Sequence, residues 1–326
     1  MISVVIPAFN AEKTLPLCLR ALQQQTLPPG EIIVVDDGSA DGTARVAQLA
    51  GVVVISQPNQ GPAAARNSGI NASHGDIVLF TDSDCEPEQT WVEYMAQPFQ
   101  DASVDGVKGA YRTRQTRPVA RLVQCEFEER YQLLKQHHYI DFVDGHAAAF
   151  RKKAVLEVGC FDPSLTENED VDLSYRLSAA GKRMVFAPSA IVFHSHPDSY
   201  RSYFRLKTGR GYWRMIVYKS HPGKAVRDSY TPQILKLQIL LVYLALGTLV
   251  LGLINPFFFA VFGFLAALFL LTTVPFVRLV QRFAPDLVFT ALWFIFVRAV
   301  AFSFGIIAGL AAMFLFRYQI NARPSR

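Results

Sequence analysis

Phe80-Thr81-Asp82-Ser83-Asp84-Cys85 closes an apolar run, Ile77-Val78-Leu79-Phe80, with two carboxylates one residue apart. On a strand that spacing puts both side chains on one face, and past the strand end the turning backbone can aim both at one cation. Hard oxygen donors suit Mg²⁺ or Mn²⁺, which keep waters and bridge to a substrate's phosphates. The stretch therefore reads as a metal-bridged diphosphate site. In isolation it fits better as a polar turn capping a helix that starts near Pro87. Its context decides between the two.

Working outward, three more apolar runs precede it: Ser3 to Pro7, Ile32 to Val35 and Val52 to Ile55. Helical segments separate them. One has Asn10 as a candidate N-cap and Leu15, Leu19 and Leu22 at helical spacing, and the other starts at about Asp41. Near-continuous apolar strands are buried on both faces, so the pattern predicts a parallel sheet covered by helices. In open α/β sheets ligands bind beyond the carboxyl ends of the strands. Asn10, Asp36, Asp37, Asp82 and Asp84 all fall at such ends, which lifts the opening stretch above a mere turn.

Gly61 to Gly69 is a glycine-led helix start, rich in alanine, from which Arg66 could reach a ligand one turn in. Ala120 to His138 reads as a helix with a stripe of Leu122, Phe127, Tyr131 and Leu134. Asp144-Gly145-His146 turns into a strand of small residues that could leave room for an acceptor. Glu167, Glu169, Asp170 and Asp172 crowd the start of the next helix. Helix capping explains some of these acids, and one left facing the pocket would be a natural general base. Two strand-like runs follow, Met184 to Ala187 and Ala190 to Phe193. The second ends in His194-Ser195-His196, whose imidazoles suit a metal, a phosphate or plain solvation.

Of the 326 residues, 51% are hydrophobic, and their placement is uneven. Leu237 to Val277 contains no charge, and Leu287 to Phe316 contains only Arg298. Both runs exceed the roughly 20 residues that cross a bilayer. Asn255-Pro256 splits the first into a hairpin, predicting spans at about 234–254, 256–276 and 288–316. Gly305 and Gly309 supply a close-approach motif. A full third span would put Arg317, Arg323 and Arg326 outside, against the charge rule; either the part with Arg298 lies in the interface or re-enters, or the rule fails for this tail.

Arg201 to Arg227 holds eight Lys or Arg and no acid, within a net charge of +5. Interleaved aromatics make Tyr200 to Tyr218 an expected interfacial helix on an anionic cytoplasmic leaflet, with Arg210 and Arg214 available to the site. Adjacency to the bilayer favours lipid over nucleic acid as its partner. The first residues read as a strand rather than a signal peptide. Cys18, Cys85, Cys125 and Cys160 show no metal-ligand spacing and suit a reducing cytoplasm. The expected division is 1–199 catalytic, 200–233 juxtamembrane, 234–318 transmembrane and 319–326 a basic tail, in a multi-pass protein of the cell membrane.

Taken together, Val5-Ile6-Pro7-Ala8-Phe9-Asn10, Val34-Val35-Asp36-Asp37-Gly38-Ser39, Gly61 to Gly69, Thr81-Asp82-Ser83-Asp84 and Glu169-Asp170-Val171-Asp172-Leu173 resemble the family 2 glycosyltransferases of the GT-A fold. The resemblance covers about residues 1 to 200. It implies a Rossmann-like, mixed but mainly parallel sheet with helices on both faces. It also implies a nucleotide-diphosphate sugar donor, a UDP-sugar by preference, and inversion at the anomeric carbon. By motif, Asp36 and Asp37 look like base and ribose contacts, with Pro7, Ala8, Asn10 and Ser83 beside them and Arg66 near the nucleotide. Asp84 and Asp82 look like the Mn²⁺ or Mg²⁺ site, with His194 in reach, and Asp170, beside Glu169, like the general base. Asp144, Gly145, His146, Arg210, Trp213 and Arg214 are expected at the diphosphate or acceptor.

Processive members of the family carry Gln-x-x-Arg-Trp, and the nearest counterpart, Arg210-Gly211-Tyr212-Trp213-Arg214, departs from it. Transfer of one sugar to a lipid or lipid-linked acceptor is expected rather than polymer extrusion. A catalytically inactive membrane scaffold is the alternative, but the paired acids it would have lost are present. A nucleotidyltransferase is disfavoured, because no glycine-rich Lys or Arg loop follows Pro7.

Overall fold

The computed structural model describes residues 1–226 and 228–315. In order the elements are β1 (Ile2–Ala8), α1 (Leu15–Gln23), β2 (Glu31–Asp36), α2 (Thr43–Leu49), β3 (Val53–Ser56), α3 (Pro62–Ala72) and β4 (Ile77–Phe80). There follow β5 (Glu86–Pro87), α4 (Trp91–Ala96), β6 (Val104–Arg112), α5 (Pro118–Leu134), β7 (Ala148–Arg151), α6 (Lys152–Glu157), α7 (Glu169–Ala179) and β8 (Arg183–Phe193). The remainder is helical: α8 (Tyr200–Ser220), α9 (Pro222–Val226), α10 (Gln233–Gly252), α11 (Phe257–Phe283) and α12 (Val288–Leu315).

These elements form two compact units. One comprises Met1–Arg114, Leu134–Ser195 and Asp228–Tyr230; the other comprises Gln115–Leu133, His196–Arg227 and Thr231–Arg326. The basic tail expected at 319–326 lies outside the described residues.

The first unit is built on one eight-stranded sheet in the order β3-β2-β1-β4-β7-β6-β8-β5. Strands β3, β2, β1 and β4 are parallel, as their unbroken apolar runs require. The sheet turns mixed at β7, which is antiparallel to both β4 and β6, while β8 runs parallel to β6. Register sets Ala8 beside Asp36 and Val5 beside Phe80, so β1 and β2 end together and β4 stops level with Val5, with all three carboxyl ends on the same side of the sheet. Val4 to Ile6 and Ile33 to Val35 form the floor of the core. Helix α3 lies close over it because residue 69 is glycine: a Cβ there would sit 2.2 Å from Val5 Cγ1.

Several local expectations change. Asn10 caps no helix; α1 starts at Leu15 after Thr14, and Asn10 takes a positive φ of 50°. No helix begins at Pro87, which belongs to β5. The two runs around Ala187 and Ala190 are one strand, β8, whose register against β6 shifts between Lys108 and Ala110.

In the second unit, α10, α11 and the stretch Pro285–Phe314 are long and apolar enough to cross a membrane. Helix α11 runs on through Pro275 to Phe283, beyond the expected end at 276. Leu240, Leu246, Phe264, Leu271 and Phe289 project outward, which only an apolar surround tolerates in such number.

Arg298, the sole charge of α12, is buried within the helical unit. Its Nη1 donates to Glu129 Oε2 at 3.1 Å and to Glu126 Oε1 at 3.3 Å, and its Nη2 to Gln238 Oε1 at 3.1 Å. Helix α5 thus supplies the acids that neutralise a membrane-segment cation. Gly305 and Gly309 do serve close approach, and their partner is α8. A Cβ on Gly305 would meet the Thr208 carbonyl oxygen at 2.2 Å, and one on Gly309 the Tyr212 carbonyl oxygen at 2.7 Å. Helix α8 accordingly buries Tyr203, Lys207 and Gly211 within its own unit, while Phe204, Tyr212 and Trp213 stay partly exposed.

Candidate active site

The strand ends of the first unit carry the polar groups. Past β1, the Asn10 Oδ1 accepts the Ala40 N–H at 2.9 Å, while the Asn10 N–H donates to Ser39 Oγ. Past β2, Asp36 Oδ1 accepts the Ser39 N–H at 3.2 Å. Asp37 collects Gln57 Nε2 at 2.7 Å, the Gln60 N–H at 3.0 Å and the Gly61 N–H at 2.8 Å. It thereby fixes the loop that enters α3, where Gly61 holds a φ of 88° that other residues rarely adopt. Gln57 Oε1 accepts from Ser68 Oγ and ties the same loop to the helix. Pro7 and Ala8 sit in β1 beneath these groups.

Arg66 projects from α3 and is only 3% exposed. Its Nη1 donates to Glu169 Oε1 at 2.6 Å and its Nη2 to Asp82 Oδ1 at 3.0 Å, so one guanidinium joins the β4 end to the start of α7. Gly145 makes the room: a Cβ there would lie 2.8 Å from Arg66 Nη2. On the other side, His146 Nδ1 lies 3.2 Å from Asp82 Oδ2, without hydrogen-bond alignment. Burial works to raise the Asp82 carboxyl, but His146 and Arg66 outweigh it and hold the group below its ordinary range. Asp84 goes the other way, raised by partial enclosure and then by the charge on Asp82. Two carboxyls one residue apart are thus driven in opposite directions, a pattern concentrated at functional sites.

Asp84, Cys85 and His194 each bring a donor atom, all within 4.8 Å of one another. The chemistry of this set, with Asp82 alongside, fits a divalent cation. The His146 and His194 rings stand 4.8 Å apart, with Tyr111 5.6 Å and 6.2 Å away. Tyr111 OH donates to Asp144 Oδ1, which also accepts from Lys108 Nζ at 2.5 Å.

Of the α7 acids, Glu169 is the Arg66 anchor, and burial pushes its carboxyl up to about 6 against the pull of that cation. Asp170 is half-exposed; its Oδ2 accepts the Gly145 N–H at 3.1 Å and its Oδ1 the Val171 N–H at 2.7 Å. Arg66, Asp82, Ser83, Asp84, Asp144, Gly145, His146, Glu169, Asp170 and His194 therefore fall in one unit, as do Asn10, Asp36 and Asp37.

Arg210, Trp213 and Arg214 lie on α8 of the second unit. His196 also belongs there, buried against Phe127 at 5.1 Å and bonded to Gln124 Oε1. Sequence reasoning overlooked Lys108, Tyr111 and Gln57, and saw Cys85 only as a thiol. A lysine inside the apolar run Val107-Lys108-Gly109-Ala110 was the available signal for a buried pair.

Residues 3–159 match the profile described as Glycosyl transferase family 2. This stretch of the chain is a domain of that family. The "Pre-mycofactocin glycosyltransferase" of Mycobacterium tuberculosis is 32% identical over 233 residues, 68% of this chain and 48% of its own. "Glycosyltransferase AglE" of Haloferax volcanii is 32% identical over 207 residues, 59% of this chain and 66% of its own. The matched region thus spans about half to two thirds of these relatives. Among solved structures, the mannosyltransferase PcManGT from Pyrobaculum calidifontis, in complex with GDP-Man and Mn²⁺, superposes with a TM-score of 0.61 at 17% identity. That likeness covers 95% of this chain and 86% of the other, and it identifies the GT-A fold.

Proposed function

We propose that this chain is an inverting, divalent-metal-dependent glycosyltransferase. It moves one sugar from a nucleotide-diphosphate sugar, a UDP-sugar foremost, to a lipid or lipid-linked acceptor at the cytoplasmic face of the cell membrane. The observation that carries the reading is the single pocket edge where Arg66 bridges Asp82 to Glu169 and where Asp84 and His194 converge. Family membership, and a fold neighbour that binds GDP-Man and Mn²⁺, support it.

Asp36, with Asn10 and the Asp37-braced loop, would line the nucleoside pocket between Pro7, Ala8 and Arg66. Asp84 and His194, with Asp82, would hold Mn²⁺ or Mg²⁺, and Ser83 would face the nucleotide. A bound cation would offset charge developing on the departing diphosphate. Arg66 keeps Asp82 ionised and aimed. Asp170, held by two backbone N–H groups, takes the proton of an acceptor hydroxyl through a remaining lone pair. For an acceptor that is already a phosphate anion, Asp170 positions rather than deprotonates. Asp144 and Gly145 shape the acceptor side, with His146 next to Asp82. The roles of Arg210, Trp213 and Arg214 toward diphosphate or acceptor rest on the sequence pattern, and Arg210→Ala should raise the donor KM.

The test is incubation of the full chain in membranes with labelled UDP- and GDP-sugars and Mn²⁺, followed by lipid extraction and assignment of the anomeric configuration. Absence of both transfer and donor hydrolysis across the panel would overturn the reading. A scaffold would additionally bind neither UDP nor Mn²⁺ in calorimetry.

A further inference from the structure

The metal site contains a sulfur that its carboxylate-and-imidazole reading does not use. Strand β5 pairs antiparallel with β8 through Glu86 opposite Phe193 and Pro87 opposite Val192. One step further along that register sets Cys85 opposite His194. Directly opposed residues hold their Cβ atoms about 5 Å apart, so the backbone itself makes the thiol and the imidazole neighbours.

Both ends of the pair are fixed. The Cys85 N–H donates to the Asp82 carbonyl at 3.1 Å, and the His194 N–H to the Arg112 carbonyl at 2.9 Å. Asp84 Oδ1 stands 3.8 Å from Cys85 Sγ. A tetrahedral ion with metal–oxygen and metal–sulfur bonds of about 2.0 and 2.3 Å separates those two ligands by about 3.5 Å. All three donor atoms lie within 4.8 Å of one another, so rotations of side chains alone would close the set.

We propose that Cys85 is a third protein ligand in this pocket, so that Asp84, Cys85 and His194 take a thiophilic divalent cation, zinc foremost, before any nucleotide sugar binds. The proposal rests on reading this pocket as the metal site. Softness separates it from the carboxylate-and-imidazole description: a thiolate favours zinc, whereas Mg²⁺ and Mn²⁺ prefer carboxylate, carbonyl and water. On binding, the Cys85 S–H bond breaks, sulfur forms the bond to the metal, and the proton leaves to solvent. Cys85 is buried, while Asp84 is exposed and His194 half-exposed, so the ion enters from the Asp84 side and keeps its fourth position open there. Zinc then opposes Mn²⁺ in the donor-free chain, and a diphosphate, which adds hard oxygens, shifts the balance back.

The experiment uses the full chain in detergent, stripped with chelator and loaded with one equivalent of Zn²⁺ or, separately, Co²⁺. X-ray absorption of the zinc-loaded chain is expected to show one sulfur at about 2.3 Å. The cobalt-loaded chain is expected to show a sulfur-to-metal charge-transfer band that persists in Cys18→Ser and disappears in Cys85→Ser. A zinc shell of nitrogen and oxygen alone, or a cobalt band that survives Cys85→Ser, overturns the proposal. The absorption measurement needs no variant, so misfolding of a mutant cannot mask the answer. Sulfur ligation in a chain that transfers no sugar would refute the proposed activity and leave this site standing. Mn²⁺-dependent transfer with a sulfur-free zinc shell would do the reverse.

Discussion

Replacing Glu126 with glutamine tests the buried charge cluster of the helical unit. Glu126 is fully buried; Lys207 Nζ lies 2.7 Å from its Oε2, and its Oε1 accepts from Tyr203 OH at 2.9 Å and Arg298 Nη1 at 3.3 Å. Burial works to raise its carboxyl, yet Lys207 and Arg298 outweigh it and hold the group at about 2, against an ordinary 4.5. At about 1.4 kcal/mol per unit, the ionised form contributes roughly 3 kcal/mol. Because the folded value is depressed, that contribution is present above pH 4.5 and is lost as pH falls toward 2. Lys207 works against it, since burial pulls its ammonium from 10.5 down to about 7. The cluster as a whole therefore adds little net stability, whereas removing one member strands the others. Glu126→Gln should cost about 3–5 kcal/mol. At about 2–4 °C per kcal/mol, the apparent Tm should fall by roughly 6–20 °C. Circular dichroism of the full chain in detergent at pH 7 measures this. Glu126→Leu/Lys207→Met/Arg298→Leu/Glu129→Gln, which removes the Glu129 partner of Arg298 along with the three charges that meet at Glu126, should stay within a few degrees of the parent. An unchanged Tm in Glu126→Gln, or a quadruple variant as unstable as the single, would refute the reasoning.

Asp84→Ala should abolish Mn²⁺-dependent binding of UDP in calorimetry, whereas Asp170→Asn should keep that binding and remove transfer; equal loss of binding in both would contradict the roles assigned. Asp37→Ala removes an acceptor of three hydrogen bonds at the entrance to α3. It should lower stability by about 1–3 kcal/mol and raise the donor KM, read from thermal shift and initial rates. Gly305→Val would drive a side chain into the Thr208 carbonyl oxygen and should lower the apparent Tm by several degrees, while Gly263→Ala, at a position open to its surroundings, should be neutral.

The strands β1, β2 and β4 were legible because burial on both faces leaves an unbroken apolar run, and the acids at their ends stood out against it. Arg66 and the α7 acids were legible as residues but not as a bridge: Arg66 and Glu169 are 103 positions apart, and only the fold joins them. Strand β7 was readable as a strand, but its antiparallel insertion between β4 and β6 depends on pairing partners, which local periodicity does not encode. The same limit hid the meeting of Cys85 with His194, a product of the β5–β8 register. Asn10 misled because a residue suited to cap a helix is equally suited to a positive φ, and here its side chain serves the Ala40 N–H instead. Arg298 looked like a difficulty for a membrane segment. Its neutralising acids sit on α5, whose own apolar stripe gave no hint of that allegiance.

The interleaving of the two units has a practical side. Between the first residue and the last, the chain passes from one unit to the other after Arg114, returns at Leu134, leaves again after Ser195, and dips back once more for Asp228–Tyr230. A cut after residue 199 would therefore not release an intact catalytic half. It would carry away α5 without Lys207 and Arg298, leaving Glu126 to face solvent or aggregate. It would also discard Tyr230, stacked 4.0 Å from Phe142, and Ser229, bonded to Asp141. Soluble expression of residues 1–199 alone should therefore fail, and a fragment that ends there should be recovered only as aggregate.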